Sequence, residues 1–285
     1  MAETKPNAAA KASTSTKTQG GGNAISYLAP IVCIIAGYAV WRFILGNPDG
    51  FSKPDDLGGF WPAHKGPLGA WNKMYEGGII VPLLIGFFFM VVVFSIERFL
   101  TIRKATGTAP NSDFVRKVQF ELANKNVDAA IALCDKQKGS VGNVMKAGLK
   151  KYKEMISSGE FSTDQKVAAI QKEVEEATAL ELPMLQKNLV FLSTLTSLGT
   201  LVALLGTVLG MIKSFSSLGE EGGSGAAAEL AAGISEALYN TALGIGTSSV
   251  ALMMYNVFTT KIDSITYGID ESGFTLTQSF VSQYK

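Results

Sequence analysis

The chain has 285 residues, 47% of them hydrophobic and only 17% charged, with a formal net charge of +1. Soluble proteins carry roughly a quarter charged residues, so this bias points to a membrane protein, and a near-neutral chain without a basic face is not a nucleic-acid binder. Cys33 lies in an apolar run and Cys134 in a charged one, which argues against a disulfide framework, and the lone histidine, His64, leaves no ligand set for a histidine-dependent metal site.

Residues 1–25 are rich in Ala, Ser, Thr, Lys and Gly, lack apolar periodicity, and predict a disordered tail. A first transmembrane helix is predicted over 26–46: Tyr27 to Leu45 approaches the ~20 residues a span needs, Pro30 suits a first turn, and Asn47-Pro48 stop it. The tail before it is long and no small-residue cleavage site follows it, so it reads as a retained span. Residues 47–76 form a loop rich in Gly, Pro and aromatics (Phe60, Trp61, Trp71, Tyr75) that suit the headgroup level, with His64 expected at the loop surface. A second span, 77–100, is apolar until Glu97-Arg98, where it leaves the bilayer.

Arg98, Arg103, Lys104, Arg116 and Lys117 follow that span closely, so this side is predicted to be cytoplasmic. Residues 101–187 then read as a cytoplasmic helical domain. Phe114, Val118 and Leu122, and later Val167, Ile170, Val174 and Ala177, fall at helical spacing, and no strand pattern is visible. The third span is predicted over 188–216, continuing from the soluble region as one helix from about 165 to 215 that bends at Pro183. An outer loop (217–227) without Lys or Arg, a fourth span (228–258) and a cytoplasmic tail (259–285) complete an all-α integral membrane protein of four spans, with both termini inside.

The last two spans differ from the first two in carrying polar groups. Thr200 and Thr207 lie on one stripe of the third span, together with Ser193 and Thr196 or Ser197; Glu236, Asn240, Thr241, Thr247 and Ser248 share a broad face of the fourth. The bland reading is a hydroxyl bonding its own helix and glycines (Gly206, Gly210, Gly244, Gly246) that let helices approach. The sharper reading is a hydrated or partner-lined path, because a carboxyl facing lipid costs about 2.5–3.5 kcal/mol or more. With helix ends at 215 and 228, Thr207 and Glu236 are expected at one depth, about 12 Å in, and Thr241 deeper.

Three motifs resemble the ExbB/TolQ/MotA proton-channel family, most closely its ExbB/TolQ branch: "EGGIIVPLLIGFFFMVVVFSIERF" its first core span, "AIALCDKQKGSVGNVMKAGL" its cytoplasmic helix pair, and "LLGTVLGMIKSF" with "GISEALYNTALG" its paired pore helices. The resemblance covers about residues 75–260 and leaves the first span outside; Gly199-Thr200 and "TSSVAL" stand where the family usually carries proline. It implies a pentamer whose last two spans line a pore, with Thr207, Glu236 and Thr241 on the polar pore positions and Thr200, Asn240, Thr247 and Ser248 as further pore-face candidates. No cofactor is expected; the resemblance also implies a single-span ExbD/TolR-like partner, expected as a dimer, that carries the cycling Asp and works on a TonB-like or TolA-like transducer. The expected function is thus an ExbB-like motor subunit of the bacterial inner membrane, driven by the proton-motive force and energising TonB-dependent transport. TolQ-like envelope maintenance, a motility stator role, or a scaffold without ion flux are the other readings. An enzyme is not expected: no phosphate-binding G-x-x-x-x-G-K loop, metal cluster or nucleophile–base pair is visible.

Overall fold

The computed structural model describes residues 21–55, 59–62, 64–158, 161–221 and 226–284. The disordered-tail expectation for 1–25 falls outside the described residues over 1–20; from Gly21 the chain is already helical. Helix α1 (Gly21–Val40) ends in a π-helical turn, Trp41–Leu45. Because α1 starts well before Tyr27, Pro30 sits inside it rather than in its first turn.

The loop expected over 47–76 contains regular structure that sequence patterning did not reveal. Strands β1 (Phe51–Lys53) and β2 (Lys65–Pro67) pair antiparallel, and a short helix α2 (Ala70–Tyr75) follows. At three residues each, the strands are too short to display an alternating pattern. Their aromatics pack inward: Trp41 stacks on Tyr75 at 4.3 Å, and Phe51 lies 5.0 Å from His64. His64 is therefore buried, which corrects the surface placement.

Helix α3 (Ile80–Thr106) places Pro82 in its first turn, where a missing N–H costs nothing, and ends at Gly107 with φ +81°. It crosses α1 closely: a Cβ on Gly37 would lie 2.5 Å from the Pro82 carbonyl oxygen. Helices α4 (Asn111–Ala123), α5 (Val127–Gln137), α6 (Gly139–Ser157) and α7 (Thr163–Gln186) form a layer beyond the end of α3. Ser162 and Gln165 cap α7 reciprocally, satisfying two otherwise orphaned donors.

The last two helices are longer than sequence reading indicates. Helix α8 spans Leu189–Glu221 and α9 spans Ala226–Tyr284, so the connection expected over 217–227 is shorter and no separate tail begins at 259. No proline occurs in α9, and Phe258, Ile262, Ile265, Ile269, Leu276 and Phe280 keep one buried face against the α4–α7 layer. At ~1.5 Å per residue its 59 residues extend about 90 Å. Among the described residues, four segments are long and apolar enough to cross a membrane: Tyr27–Leu45, Ile80–Ala123, Thr163–Ser216 and Leu230–Tyr284.

The single helix expected over 165–215 is interrupted, though not at Pro183. The break falls at Lys187 (ψ 141°) and Asn188 (φ +64°), a left-handed position that Asn tolerates better than most side chains. The Glu97-Arg98 pair clasps it. Arg98, 2% exposed, donates from Nη1 to the carbonyls of Leu185 (3.1 Å) and Met184 (3.4 Å), which the end of α7 leaves without helical partners. The Glu97 carboxylate accepts from Arg98 Nε (2.6 Å), Asn188 Nδ2 and Thr101 Oγ1 (both 3.2 Å).

Candidate functional site

Helices α8 and α9 run antiparallel and approach closely where both lack side-chain bulk. A Cβ on Gly244 would sit 2.5 Å from the Gly199 carbonyl oxygen, and one on Gly210 would sit 3.1 Å from Ala237 Cβ. Gly206 faces Ile80 of α3 and Asn240. These glycines take the bland role of allowing contact. Gly246 does not: a Cβ there meets nothing within 4 Å among the described residues.

The hydroxyl stripe also divides. Thr196 and Thr200 donate to carbonyls of α8 itself (Ser193 and Ser197), as isolated helical hydroxyls do, and Thr194, off the stripe, does the same to Val190. Thr207 and Thr241 differ, because their Oγ1 atoms meet across the helix pair at 2.5 Å. Each also reaches a carbonyl of its own helix, Thr207 that of Ala203 (3.0 Å) and Thr241 that of Ala237 (3.3 Å). Each hydroxyl has one proton, so the three contacts cannot all be made at once. Either Thr207 donates to Thr241 and Thr241 to Ala237, or Thr241 donates to Thr207 and Thr207 to Ala203. The pair can reverse its direction, the property a hydroxyl needs to hand on a proton.

The depth relation expected from sequence is shifted. Thr207 is level with Thr241, while Glu236 is level with Lys213, Nζ to Oε2 3.4 Å. The cause is the short connection: α8 runs on to 221 and α9 resumes at 226, which moves the register by about one turn from that set by ends at 215 and 228. The Lys213 side chain is 73% exposed and that of Glu236 13%, so the pair contributes little rigidity. Glu236 also faces the Gly77-Gly78 turn ahead of α3, where Gly78 holds φ +65°.

Three further pore-face candidates are turned inward. Asn240, Thr247 and Ser248 are all buried within the single chain, so they line no open surface of it. Ser248 donates to the Leu195 carbonyl of α8 (3.4 Å) and Asn240 Nδ2 to the Gly77 carbonyl (3.4 Å). They lie on the side of α9 that packs, since a face broad enough to hold Glu236 to Ser248 wraps onto α8 and α3. Thr200 is half-buried on α8.

Beside Glu236 lies a cavity of about 670 Å³, walled by Trp41, Trp61 and Tyr75 on one side and by Lys213 and Glu236 on the other, with Glu76 and His64 also at its lining. Burial, reinforced by the Glu236 charge, pushes the Glu76 carboxyl above its ordinary range, while Lys213 and Lys73 pull it partly back. Sequence reasoning passed over Lys213 and Glu76. Lys213 is the only cation between Lys187 and Lys261, and Glu76 directly precedes Gly77-Gly78, so both had a legible signal.

The chain is 38% identical over 86 residues to an ExbB-like biopolymer transport protein of Synechocystis sp. (ExbB-like 3), which is 30% of this chain and 41% of the relative. It is 29% identical over 125 residues to the Tol-Pal system protein TolQ of Pseudomonas aeruginosa, 44% of this chain and 54% of that one. A second Synechocystis relative, ExbB-like 1, is 40% identical over 85 residues, 29% of this chain and 34% of the relative. The chain thus spans about half or less of the length of the curated relatives it matches. Residues 136–271, a stretch holding Thr207, Lys213, Glu236 and Thr241, match the MotA/TolQ/ExbB proton channel family.

Proposed function

We propose that the chain is an ion-conducting motor subunit of the bacterial inner membrane, ExbB-like, that uses the proton-motive force to energise TonB-dependent transport. The observation that carries this reading is the Thr207–Thr241 hydroxyl pair set between otherwise apolar helices, with Glu236 about a turn and a half away along α9. Such groups are costly in hydrocarbon and mark pathways. In this reading both termini and the α4–α7 layer are cytoplasmic, as the Arg and Lys residues in the last turns of α3 and in α4 favour. Five copies enclose a pore between their α8–α9 pairs, and α1 and α3 lie outside it. A dimer of a single-span ExbD/TolR-like partner occupies the pore and passes work to a TonB-like transducer.

The match to TolQ favours a second reading, in which the same motor serves envelope maintenance through a TolA-like protein. The test is to purify the chain with its co-expressed membrane partners, reconstitute the complex in vesicles, and measure proton flux. Flux abolished in a Thr207→Ala/Thr241→Ala double variant of intact stoichiometry supports the motor. Full flux in that variant, or none in the wild type, moves the scaffold reading ahead. The transducer that co-purifies separates the two motor roles.

A further inference from the structure

The cavity beside Glu236 is built half by family-matched helices and half by a layer outside that match. Lys213, Ser214 and Glu236 come from α8 and α9; Trp41, Trp61, His64, Tyr75 and Glu76 come from the segment that precedes α3. The aromatic half is held firmly. Trp41 Nε1 donates to the Tyr75 carbonyl (3.2 Å), Tyr75 Oη donates to the Pro62 carbonyl (2.5 Å), and Asn72 Nδ2 donates to the Leu45 carbonyl (3.0 Å).

His64 is the feature that packing leaves over. Its Nδ1 accepts the Asp55 backbone N–H at 2.8 Å, so in the neutral ring the proton sits on Nε2. That Nε2 is fully buried, in a residue 5% exposed at the cavity lining, and has no hydrogen-bond partner among the described residues. A buried donor without an acceptor costs about 1–3 kcal/mol. A carboxylate is the opposite case, an acceptor in need of donors, and the same cavity contains two. Water serves both kinds of group. At ~30 Å³ per molecule, the roughly 670 Å³ available accommodates a chain of them with polar partners at several points.

We propose, resting on the ion-conducting reading above, that this cavity is a hydrated proton-entry vestibule. Water held by His64 Nε2–H, Glu76 and Lys213 delivers protons to Glu236 within each protomer, ahead of the Thr207–Thr241 pair. Each hop breaks one O–H bond at the donor oxygen and forms one at the next, so a proton taken up at Glu76 leaves as a proton passed to Glu236. Nothing is oxidised or reduced. The titratable groups at the lining are Glu76, Glu236, Lys213, His64 and Tyr75. The exposed Lys213 ammonium is an exchangeable counter-ion, able to yield Glu236 to an arriving proton. The first span and its loop thus contribute directly to the pathway.

The test uses the reconstituted complex. Ala232, an exposed residue of the wall, is replaced by Cys in a chain whose own Cys33 and Cys134 are buried. A bulky membrane-impermeant thiol reagent is added on the side of the vestibule, labelling is read by mass, and flux is compared before and after in the same vesicles. The expected result is complete labelling with flux reduced at least about fivefold by the blocked path. Complete labelling with unchanged flux, or no labelling, overturns the proposal. In parallel, Glu76→Gln should lower flux about tenfold or more while Glu76→Asp retains most of it, as a proton-transfer role requires. Wild-type flux in Glu76→Gln overturns the relay. A wild-type complex without flux instead removes the motor reading itself, and so is told apart from failure of the vestibule.

Discussion

The two ends of the α8–α9 pair treat polar groups in opposite ways. Towards the α4–α7 layer, Gly199 and Gly244 bring the helices into contact, Ser248 spends its hydroxyl on the Leu195 carbonyl, and Arg98 is consumed by the end of α7. Polar atoms there join segments of the same chain. At the other end Glu236 borders a cavity, its Lys213 partner is exposed, and His64 Nε2 and Asn240 Oδ1 have no partner among the described residues. A polar residue in an apolar helix therefore has two physical meanings, which its place along the pair separates better than its residue type.

The comparison breaks most visibly if charge at Glu236 proves dispensable. Glu236→Gln should cost about tenfold or more in proton flux, measured in vesicles, with the complex intact, because its pair with an exposed lysine holds nothing together. Arg98→Ala is the converse: about 2–3 kcal/mol of stability lost, read as the thermal midpoint of the detergent-solubilised protein, since the buried Leu185 carbonyl and the partly buried Met184 carbonyl lose a charged donor. A flux defect in an Arg98→Ala complex of normal stability would blur the distinction between the ends.

Gly244→Ala sharpens it at the level of packing. Its new methyl meets the Gly199 carbonyl and Ala203, and should cost about 1–3 kcal/mol, whereas Gly246→Ala leaves the isolated chain unaffected. Thr241→Ala should lower stability by only about 0.6 kcal/mol, the average for one such bond in a membrane protein, while reducing flux. The smallest effect is pH-dependent. Glu76 has its carboxyl raised in the folded chain, so folding favours its protonated form. Its ionisation then weakens the fold as pH rises through and beyond the ordinary carboxylate range, and below that range the penalty disappears. The melting difference between Glu76→Gln and the wild type should grow in favour of the variant across that window, and a difference independent of pH would place Glu76 in water.

Much of the architecture was legible in the sequence. Apolar runs long enough to span, a cluster of Arg and Lys after Glu97, and a polar stripe confined to the last two runs are strong patterns, and four apolar segments stand where they were read. Helix ends were less legible. Lys261, Asp263, Asp270, Glu271 and many hydroxyls let 259–284 read as a tail, yet the residues that keep it helical make their contacts with α4, α6 and α7, far away in sequence. The break at 187–188 hid behind Pro183, the stronger local signal, because the device that fixes it is Arg98, nearly ninety residues earlier. Which polar residues face a cavity depended on the register of two helices, and misplaced helix ends that shift that register by a net four residues were enough to pair Thr207 with the wrong depth.

The unbroken course of α9 has a mechanical consequence. Helix α8 joins its neighbour through an elbow at Asn188, so α7 and α8 can change their mutual angle at the cost of two backbone dihedrals and the Arg98 clasp. Helix α9 has no such joint over 59 residues. A tilt imposed near Glu236 is carried along a stiff shaft to Phe280 and the α4–α7 layer, while the elbow beside it takes up the slack.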